Sequence, residues 1–446
     1  MRKINSFLIC ISLLFVLVGC SSNHSSIIPS PTDKTTETNP VVTTDTHSNQ
    51  GSMEVNTDEP ASETEEIDTN YHITNANSFS EGYAWISVYR NIDSITAKNY
   101  QAVINTDGEI CYSTEEVFSP SQFEGGASVL SFEDGTKKVI DPQGNVLFTT
   151  NCDLFDDIVA YGGGYFLVYK YHESFSEAGY DIFIIDGTQK RRNSIEGLQT
   201  MIPEFVYCGD GVFANKVRQN GAGEVTWRFY DGASGNQYEV GGMSYWAEVN
   251  NIFNNGYAVI EGPRMGDLAR LVSCDGTVTM LDYWGYGDFY DFGPVSDGGF
   301  VCVSYYDDLI KNVWFYDINT GNITELGNYG ERVPLRKGNT LTFKDGSMLL
   351  PLTGADGKSY YTIMDKSGTS LFDPIQCNSV SFLNSRILVD YGDRSAVTDL
   401  RGNEVFENEQ RWYISPYCNG FACINRENYI DENGSVLFED GIIPFS

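Results

Sequence analysis

Two aromatic stretches with interleaved acidic residues are the candidates for ligand contact in this sequence. The first reads YWGYGDFY over positions 283–290, and the second reads YYDD over positions 305–308. Aromatic rings interleaved with glycine and aspartate suit stacking on a sugar or recognition of a peptide. The predicted ligand contacts are Trp284, Tyr286, Asp288, Tyr305, Tyr306 and Asp307. The competing interpretation assigns these aromatics to packing between neighbouring sheets.

Residue patterns typical of catalysis are absent from the sequence. There is no G-x-S-x-G, no H-E-x-x-H, no phosphate-binding loop and no G-x-G-x-x-G after a strand pattern. The four histidines are dispersed at positions 24, 47, 72 and 172, which argues against a histidine-based triad or metal site. We therefore predict no catalytic residue and no cofactor. A glycan hydrolase remains the alternative, because any two of the many carboxylates could meet at one end of the fold.

Aspartates beside glycines suggest calcium at first sight. They are Asp107, Asp141, Asp275, Asp365 and Asp431. A calcium loop needs several oxygen ligands within one short segment, whereas each of these turns offers a single carboxylate. Aspartate is also favoured in turns because its side chain bonds to the local backbone. The sequence therefore predicts structural turns and no metal site.

The cysteines after position 20 are scattered singly, without a C-x-x-C pair. Cys418 and Cys423 are the nearest to each other, but on one predicted strand they would face opposite ways and lie about 16 Å apart. We expect no disulfide framework, and we expect most of these thiols to be small buried apolar groups.

The elements that position these residues belong to a sequence repeat. FSEGYAWISV at positions 79–88 returns as FNNGYAVIEG at positions 253–262, and similar stretches recur at intervals of 35 to 47 residues. The equivalent small residues are Gly82, Gly126, Gly164, Gly211, Gly256, Gly299, Gly346, Ser385 and Gly420.

A second signal follows each of these positions. It is an apolar run, a turn of Asp, Asn and Gly, and another short apolar run, which is typical of a β-hairpin with glycine at positive φ. The turn glycines are Gly108, Gly144, Gly187, Gly232, Gly276, Gly321, Gly368, Gly402 and Gly434. Each unit thus contains at least three strands, and a short apolar piece before the first glycine supplies a fourth.

These units predict an all-β fold, a β-propeller built from repeats of about 35–47 residues. We expect eight blades, with seven to nine allowed; another repeat-β array or a solenoid is the alternative. Successive residues of a strand face opposite sides, so Tyr83 and Trp85 should fill the space between blades. Gly82 and Ala84 should let backbones approach closely.

The repeated stretches resemble the WG-repeat family of bacterial proteins. The resemblance rests on FEGGASVL with KKVIDPQGNVLF, and on GFACIN with NYIDENGSVLF. It departs from the family where the Tyr/Trp-Gly pair before Ile-Asp is missing. The resemblance implies binding through the repeats, with no assigned chemistry.

The first 70 residues differ from the rest of the chain. Two basic residues precede an apolar run over positions 7–18, which is too short to cross a bilayer and typical of a signal peptide. The following LVGC, which ends in Gly19 and Cys20, resembles the lipobox of bacterial lipoproteins. That resemblance implies cleavage between Gly19 and Cys20 and attachment of fatty acyl chains such as palmitate to Cys20. We predict a signal peptide over 1–19, a lipidated cysteine with a disordered tether over 20–70, and the repeat domain over 71–446.

Positions 71–446 hold 25 basic and 51 acidic residues. Such a surplus of negative charge disfavours binding to nucleic acids and to anionic headgroups. The sequence predicts a monomeric, non-enzymatic propeller, lipid-anchored to the cell membrane and facing its extracytoplasmic side. Its expected partners are the bilayer, through Cys20, and a protein, peptide or glycan of the cell envelope. A purely structural envelope protein is a further alternative.

Overall fold

The computed structural model describes residues 70–93, 95–150, 156–170, 179–194, 205–219, 224–244, 249, 252–260, 269–281, 289–306, 309–328, 335–336, 341–408 and 412–444. The predicted signal peptide and nearly all of the predicted tether lie outside these residues. Within them the secondary structure is almost entirely antiparallel β.

Nine sheets form in the described residues, and they are meanders of consecutive strands, except that the final described strand joins the first sheet beside its first strand, and the last strand of the sixth sheet pairs with the third strand of that sheet. The first sheet contains β1 (Tyr71–Ala76), β2 (Tyr83–Asn91), β3 (Ala97–Asn105) and β4 (Ile110–Thr114). The second contains β5 (Ser119–Pro120), β6 (Ser128–Ser131), β7 (Lys137–Ile140) and β8 (Val146–Thr149). The third contains β9 (Asp157–Gly162), β10 (Tyr165–Lys170), β11 (Gly179–Ile184) and β12 (Gln189–Ser194). The fourth sheet contains β13 (Phe205–Gly209), β14 (Val212–Gln219), β15 (Glu224–Asp231) and β16 (Gln237–Ser244). The fifth contains β17 (Tyr257–Ile260), β18 (Arg270–Ser273) and β19 (Val278–Met280). The sixth contains β20 (Phe289–Phe292), β21 (Gly299–Tyr306), β22 (Leu309–Asp317), β23 (Ile323–Asn328) and β24 (Leu335–Arg336). The seventh sheet contains β25 (Ser347–Thr353), β26 (Ser359–Asp365) and β27 (Ile375–Cys377). The eighth contains β28 (Ser379–Phe382), β29 (Ile387–Asp390), β30 (Ser395–Thr398) and β31 (Glu404–Asn408). The ninth contains β32 (Phe421–Ile424) and β33 (Asn428–Asp431). A short 3-10 turn (Glu439–Gly441) leads into the final strand, β34 (Ile442–Ile443).

A tight turn lies at each of the repeated small residues or, in the sixth unit, one residue before it. In the first unit Glu81 and Gly82 have φ of 52° and 86°, and the backbones of Ser80 and Tyr83 bond to each other at 2.8 and 3.0 Å. Two successive positive φ values are the geometry of hairpin turns whose twist matches that of the strands. In the sixth unit the turn is Asp297–Gly298, with φ of 53° and 77°. The turn therefore lies one residue before the repeated small residue Gly299, which already belongs to β21.

The second turn of each unit is organised by its first polar side chain. Asp141 accepts bonds from the backbone N–H groups of Gln143 and Asn145 at 3.0 and 2.8 Å, and Gly144 has φ of 82°. Asp365 and Asp431 make the same pair of bonds. The Ser367 hydroxyl and the Thr369 N–H lower the pKa of Asp365. The local role predicted for these aspartates is confirmed.

Other units do not all repeat this pair of bonds, and in two of them the predicted residue is not the one that forms the turn. Asn105, rather than Asp107, accepts the backbone bonds in the first unit, from Asp107 and Glu109 at 3.0 and 2.9 Å. In the fourth unit the residue at positive φ is Gly235, at 73°, so the prediction of Gly232 was wrong. Both cases arise because several turn-forming residues stand side by side in the sequence.

Alternate side chains of β2 serve different neighbours, as predicted. Trp85 is 2% exposed and packs with Phe118 and Phe123 towards the second sheet, its indole N–H donating to the Ser128 hydroxyl at 3.0 Å. Ala84 and Ile86 pack on the other side, in a cluster that contains residues of the last sheet. The apolar core is thus a series of layers between neighbouring sheets.

The first and last sheets meet and close the series into a ring. β34 pairs antiparallel with β1, through Tyr71 opposite Ile443 and His72 opposite Ile442. The buried Tyr429 hydroxyl donates to the carbonyl oxygen of Asn77 at 2.6 Å, which joins the ninth sheet to the first. The protein is therefore a β-propeller, and its nine described sheets are at the upper end of the predicted range of seven to nine.

Close approach of backbones does not explain Gly82. A Cβ at Gly82 would meet no atom within 4 Å, so the positive φ of this residue is what requires glycine. Close approach occurs instead at Gly125, where a Cβ would overlap the backbone of Gly164 in the third sheet. The predicted reason for Gly82, close approach of backbones, was therefore wrong.

None of the described cysteines forms a disulfide, and Cys208, Cys302, Cys377 and Cys423 are buried. Burial raises the pKa of Cys377 and of Cys423 to about 11. Cys418 and Cys423 do not share one strand as predicted, because the turn at Asn419–Gly420 separates them. Both nevertheless contribute to the same apolar cluster between the last and first sheets.

Candidate functional site

The meander gives the propeller two different ends. Strands alternate in direction, so the turns that join the first to the second strand position and the third to the fourth strand position lie at one end of every sheet. In the fifth, seventh and ninth sheets the first named strand (β17, β25 and β32) occupies the second position, because it follows the first turn of its unit. We call this end the turn face. The connections from the second to the third strand, and from each sheet to the next, lie at the opposite end, which we call the loop face.

The turn face is nearly uniform and is interlocked by its own side chains. The Glu81 carboxylate accepts bonds from the N–H groups of Gly125 and Gly126 at 2.8 and 2.7 Å, so the first turn holds the second. The same link joins other consecutive turns: Glu124 to Gly163, Asp210 to Gly256, Asp297 to Gly346, and Asn419 to Gly82 across the closure. These acceptors use the N–H groups that an anionic ligand would otherwise bind.

The loop face is where the units differ. The connection from the second to the third strand has two residues between Tyr306 and Leu309, but nine between Ile260 and Arg270. On the turn face, by contrast, four or five residues separate Asn105 from Ile110 and Ile140 from Val146. Loops on a rigid scaffold are where binding residues concentrate, so the loop face is the candidate binding surface.

The predicted ligand contacts are only partly placed. Trp284, Tyr286, Asp288 and Asp307 lie outside the described residues. The backbones of Tyr305 and Tyr306 end β21 at the loop face. Gly19 and Cys20 also lie outside the described residues. The prediction that the six residues contact a ligand stays a prediction.

Several cations of the loop face are held by carboxylates. Lys98 bonds Glu115 at 2.8 Å, and Lys138 bonds Glu116 at 3.1 Å. Arg394 bonds both oxygens of Glu404, at 2.7 and 3.0 Å, and this hydrogen bonding lowers the pKa of the Glu404 carboxyl. These groups are neutralised within the protein, which makes them weak candidates for ligand contact.

Tyr413 and Arg426 of the ninth sheet form a different arrangement. The Arg426 guanidinium lies 5.8 Å from the centre of the Tyr413 ring, which is 49% exposed. Within the described part of the chain, no carboxylate lies within 4.0 Å of Arg426. Asn425 fixes the position of Tyr413, since its N–H donates to the Tyr413 carbonyl at 2.8 Å and its side-chain oxygen accepts from the Tyr413 N–H at 3.1 Å.

The backbone at this position is unusual. Asn425 and Arg426 have φ of 51° and 63°, in the loop that joins β32 to β33. Asparagine tolerates this region, but arginine does so at a cost, and glycine is the usual residue. Tyr413 and Arg426 were not predicted from the sequence. The signal available was the hairpin Ile-Asn-Arg-Glu-Asn, which has no glycine.

Other searches of the described residues give two results. Among them, no group of three or more His, Cys, Asp or Glu side chains is arranged to hold a metal ion. In the same part of the chain, no helix has the length and apolar character needed to cross a bilayer.

A closed ring of antiparallel sheets with one interlocked face and one variable face defines the chain as a β-propeller. No protein-family description matches it, and no curated protein matches it. Among solved structures it is similar to BamB from Moraxella catarrhalis, at 12% identity and a TM-score of 0.33, covering 71% of this chain and 94% of that one. It is also similar to the C-terminal WD40 domain of Sif2, at 12% identity and a TM-score of 0.29, covering 74% and 97%. The computationally designed Ika8 protein matches at 16% identity and a TM-score of 0.35, covering 72% and 96%.

Proposed function

We propose that this chain is a lipid-anchored, extracytoplasmic binding protein that holds a ligand of the cell envelope on its loop face. The observation that carries the proposal is the contrast between the two faces. The N–H groups of the turn face are bonded to side chains of neighbouring turns. The connections of the loop face, by contrast, differ in length and composition from unit to unit. A binding function places its variable residues in this way.

The membrane part of the proposal rests on the sequence. The short apolar run, the LVGC segment and the acidic polar tract before Tyr71 fit a lipidated Cys20 and a spacer. β1 begins at the loop face, so the tether joins the domain on the side that carries the candidate site.

Replacing the lipidation residue should release the protein from the membrane. We expect Cys20→Ser in the full-length chain to lose incorporation of radiolabelled palmitate and to leave the membrane fraction after export. Cys111→Ser is a matched control because it removes a thiol of the folded domain, and it should remain labelled and membrane-bound. Membrane retention of unlabelled Cys20→Ser would contradict lipid anchoring.

The binding function is tested by capture on residues 21–446, the mature chain without its lipidated Cys20, immobilised through its N-terminus. We expect a glycan or protein of an envelope extract to be retained, and to be displaced when the loop face is altered by Tyr413→Ala. Arg401→Ala, at a hairpin of the turn face, is the control that should leave capture unchanged. If the chain retains no envelope component but cleaves members of a glycan panel, its function is hydrolysis and the binding function proposed here is wrong.

A further inference from the structure

A hairpin at the loop face of the first sheet presents aliphatic side chains to solvent. It joins β2 to β3, and Ile92 and Ile95 within it are 45% and 94% exposed. Val117, in the connection from the first sheet to the second, is 74% exposed. Ile95 and Val117 are the most exposed large apolar side chains among the described residues. Side chains that bury so little area add almost nothing to the stability of the fold.

A local carboxylate orders this hairpin. Asp93 accepts bonds from the N–H groups of Ile95 and Thr96 at 2.9 and 2.7 Å, and the Ile92 N–H donates to the Thr96 carbonyl at 2.8 Å. The bonds from Ile95 and Thr96 lower the pKa of Asp93, so its carboxyl is charged at neutral pH. Ile95 is therefore held outside the core in a fixed position, beside a negative charge.

Two ion pairs connect the hairpin to the second sheet. Lys98, near the start of β3, bonds Glu115 at 2.8 Å. The next residue, Glu116, bonds Lys138 at 3.1 Å. The Lys138 ammonium lies 4.5 Å from the centre of the Phe132 ring, at the start of the corresponding hairpin of the second sheet. These contacts make one continuous surface, which we call the tip patch, of residues 92–93, 95–96, 115–117 and 132–134.

The tip patch is acidic. Apart from the two ion pairs, it exposes the carboxylates of Asp93, Glu133 and Asp134, and Arg90 near the end of β2 is the neighbouring cation. Three negative charges against one positive charge leave a local net charge of −2. Apolar side chains surrounded by charged ones are the usual composition of a protein–protein interface, with its apolar centre and polar rim.

We propose that the tip patch docks a basic protein, an inference that rests on the proposed binding function and names its partner. Ile95 and Val117 enter an apolar depression of the partner, where a few buried side chains supply most of the affinity. Asp93, Glu133 and Asp134 face its lysines and arginines, which accelerates association and selects for positive charge. The surplus of acidic residues over the whole domain favours the same kind of partner.

The charge of the tip patch argues against the other occupants of an exposed apolar surface. A second copy of this chain would bring an identical acidic surface, and like charges repel. The predicted tether is also acidic, since residues 21–70 contain ten acids and a single lysine, Lys34. Anionic headgroups are repelled in the same way. A glycan is disfavoured for another reason, because isoleucine and valine lack the flat ring that stacks on a sugar.

The test uses residues 21–446 and a synthetic amphipathic helix of leucine and lysine, with a form that has glutamate at every lysine as its counterpart. Fluorescence anisotropy of the labelled peptides should show saturable binding of the lysine form, which weakens as sodium chloride is added, and about tenfold weaker binding of the glutamate form. Ile95→Ser combined with Val117→Ser should weaken binding of the lysine form about tenfold. The denaturation midpoint of this double variant should remain unchanged, because neither side chain is buried.

Matched variants on the turn face separate the tip patch from the rest of the surface. Val146→Ser combined with Val436→Ser removes two valines that are also more than half exposed, and it should leave the affinity unchanged. Glu133→Lys should weaken binding and reduce its salt dependence. Asp107→Lys makes the same change of charge sign at a hairpin of the turn face and should have little effect.

Three outcomes would overturn the inference. They are unchanged affinity in the double variant of Ile95 and Val117, binding of the glutamate peptide as tight as that of the lysine peptide, and sedimentation with vesicles of phosphatidylcholine and phosphatidylglycerol that this double variant abolishes. The last outcome would assign the tip patch to the bilayer. If the lysine peptide does not bind but an envelope component is retained, the assignment of the tip patch fails and the binding function stands. If neither is bound, both fail.

Discussion

Gly125→Ala is expected to destabilise the propeller by about 3 kcal/mol or more, since it adds overpacking to backbone strain. Its φ is 62°, and a Cβ there would overlap both Cα and N of Gly164 in the next sheet. Those are backbone atoms, so relief requires the two turns to move apart. Their separation would also disturb the bond from the Gly163 N–H to Glu124.

Gly126→Ala provides the matched control at the next residue. Its φ is 85°, but a Cβ at this position would meet no atom within 4 Å. Only backbone strain remains, so we expect a loss of about 1 kcal/mol. Equilibrium unfolding in denaturant, followed by tryptophan fluorescence, measures both. Equal losses in the two variants would show that the contact between neighbouring turns does not limit stability.

Removal of residues 442–446 is expected to lower the free energy of unfolding by about 2–4 kcal/mol, the range found when a buried isoleucine is lost. Ile443 is 3% exposed, and the deletion also removes the pairing of β34 with Tyr71 and His72. Hydrogen exchange should accelerate in β1 and in β33, because these strands flank the closure. Other sheets should keep more of their protection.

A chain shortened only by residues 445 and 446 is the control for that deletion. It keeps β34, so its stability and exchange pattern should remain within about 0.5 kcal/mol of the natural chain. Exchange that rises equally in all sheets of the longer deletion would contradict a local role in closure. Unchanged exchange in β1 would contradict the pairing itself.

Local chemistry made most of the fold predictable. Aspartate, asparagine and glycine fix a turn within four residues, so the hairpins and the approximate repeat length could be inferred without tertiary information. Errors occurred where neighbouring residues compete for one role, as with Gly298 and Gly299, or Gly232 and Gly235. The central value of eight blades was one below the nine described sheets, although the sequence shows nine first-turn positions.

Contacts between units were much harder to predict. The function of Glu81 depends on Gly125 and Gly126, which lie in another sheet, and no local pattern identifies that pairing. Cys418 and Cys423 were placed on one strand because the turn between them was read as part of the strand. The aromatic role of Trp85 was predictable, since a large apolar side chain on an alternating strand must face a neighbour.

The candidate site was predictable only as a region. Variation between units indicated that binding residues lie in the connections, but Tyr413 and Arg426 carry no recognisable motif. Their significance comes from φ values, from ring exposure and from the bond between Arg426 and Ala76. These are properties of the folded chain.

Closure of the ring also depends on the order in which the chain is synthesised. Gly82 and Asn419 bond across a sequence separation of 337 residues, and β34 is made from the last residues of the described chain. A nascent polypeptide therefore carries an open flank on its first sheet until Ile443 emerges. During that interval the apolar residues around Tyr71 and Val88 lack their partner and are exposed to aggregation. Cellular quality control should therefore be most sensitive to truncation at the C-terminus, even when the lost segment is only a few residues long.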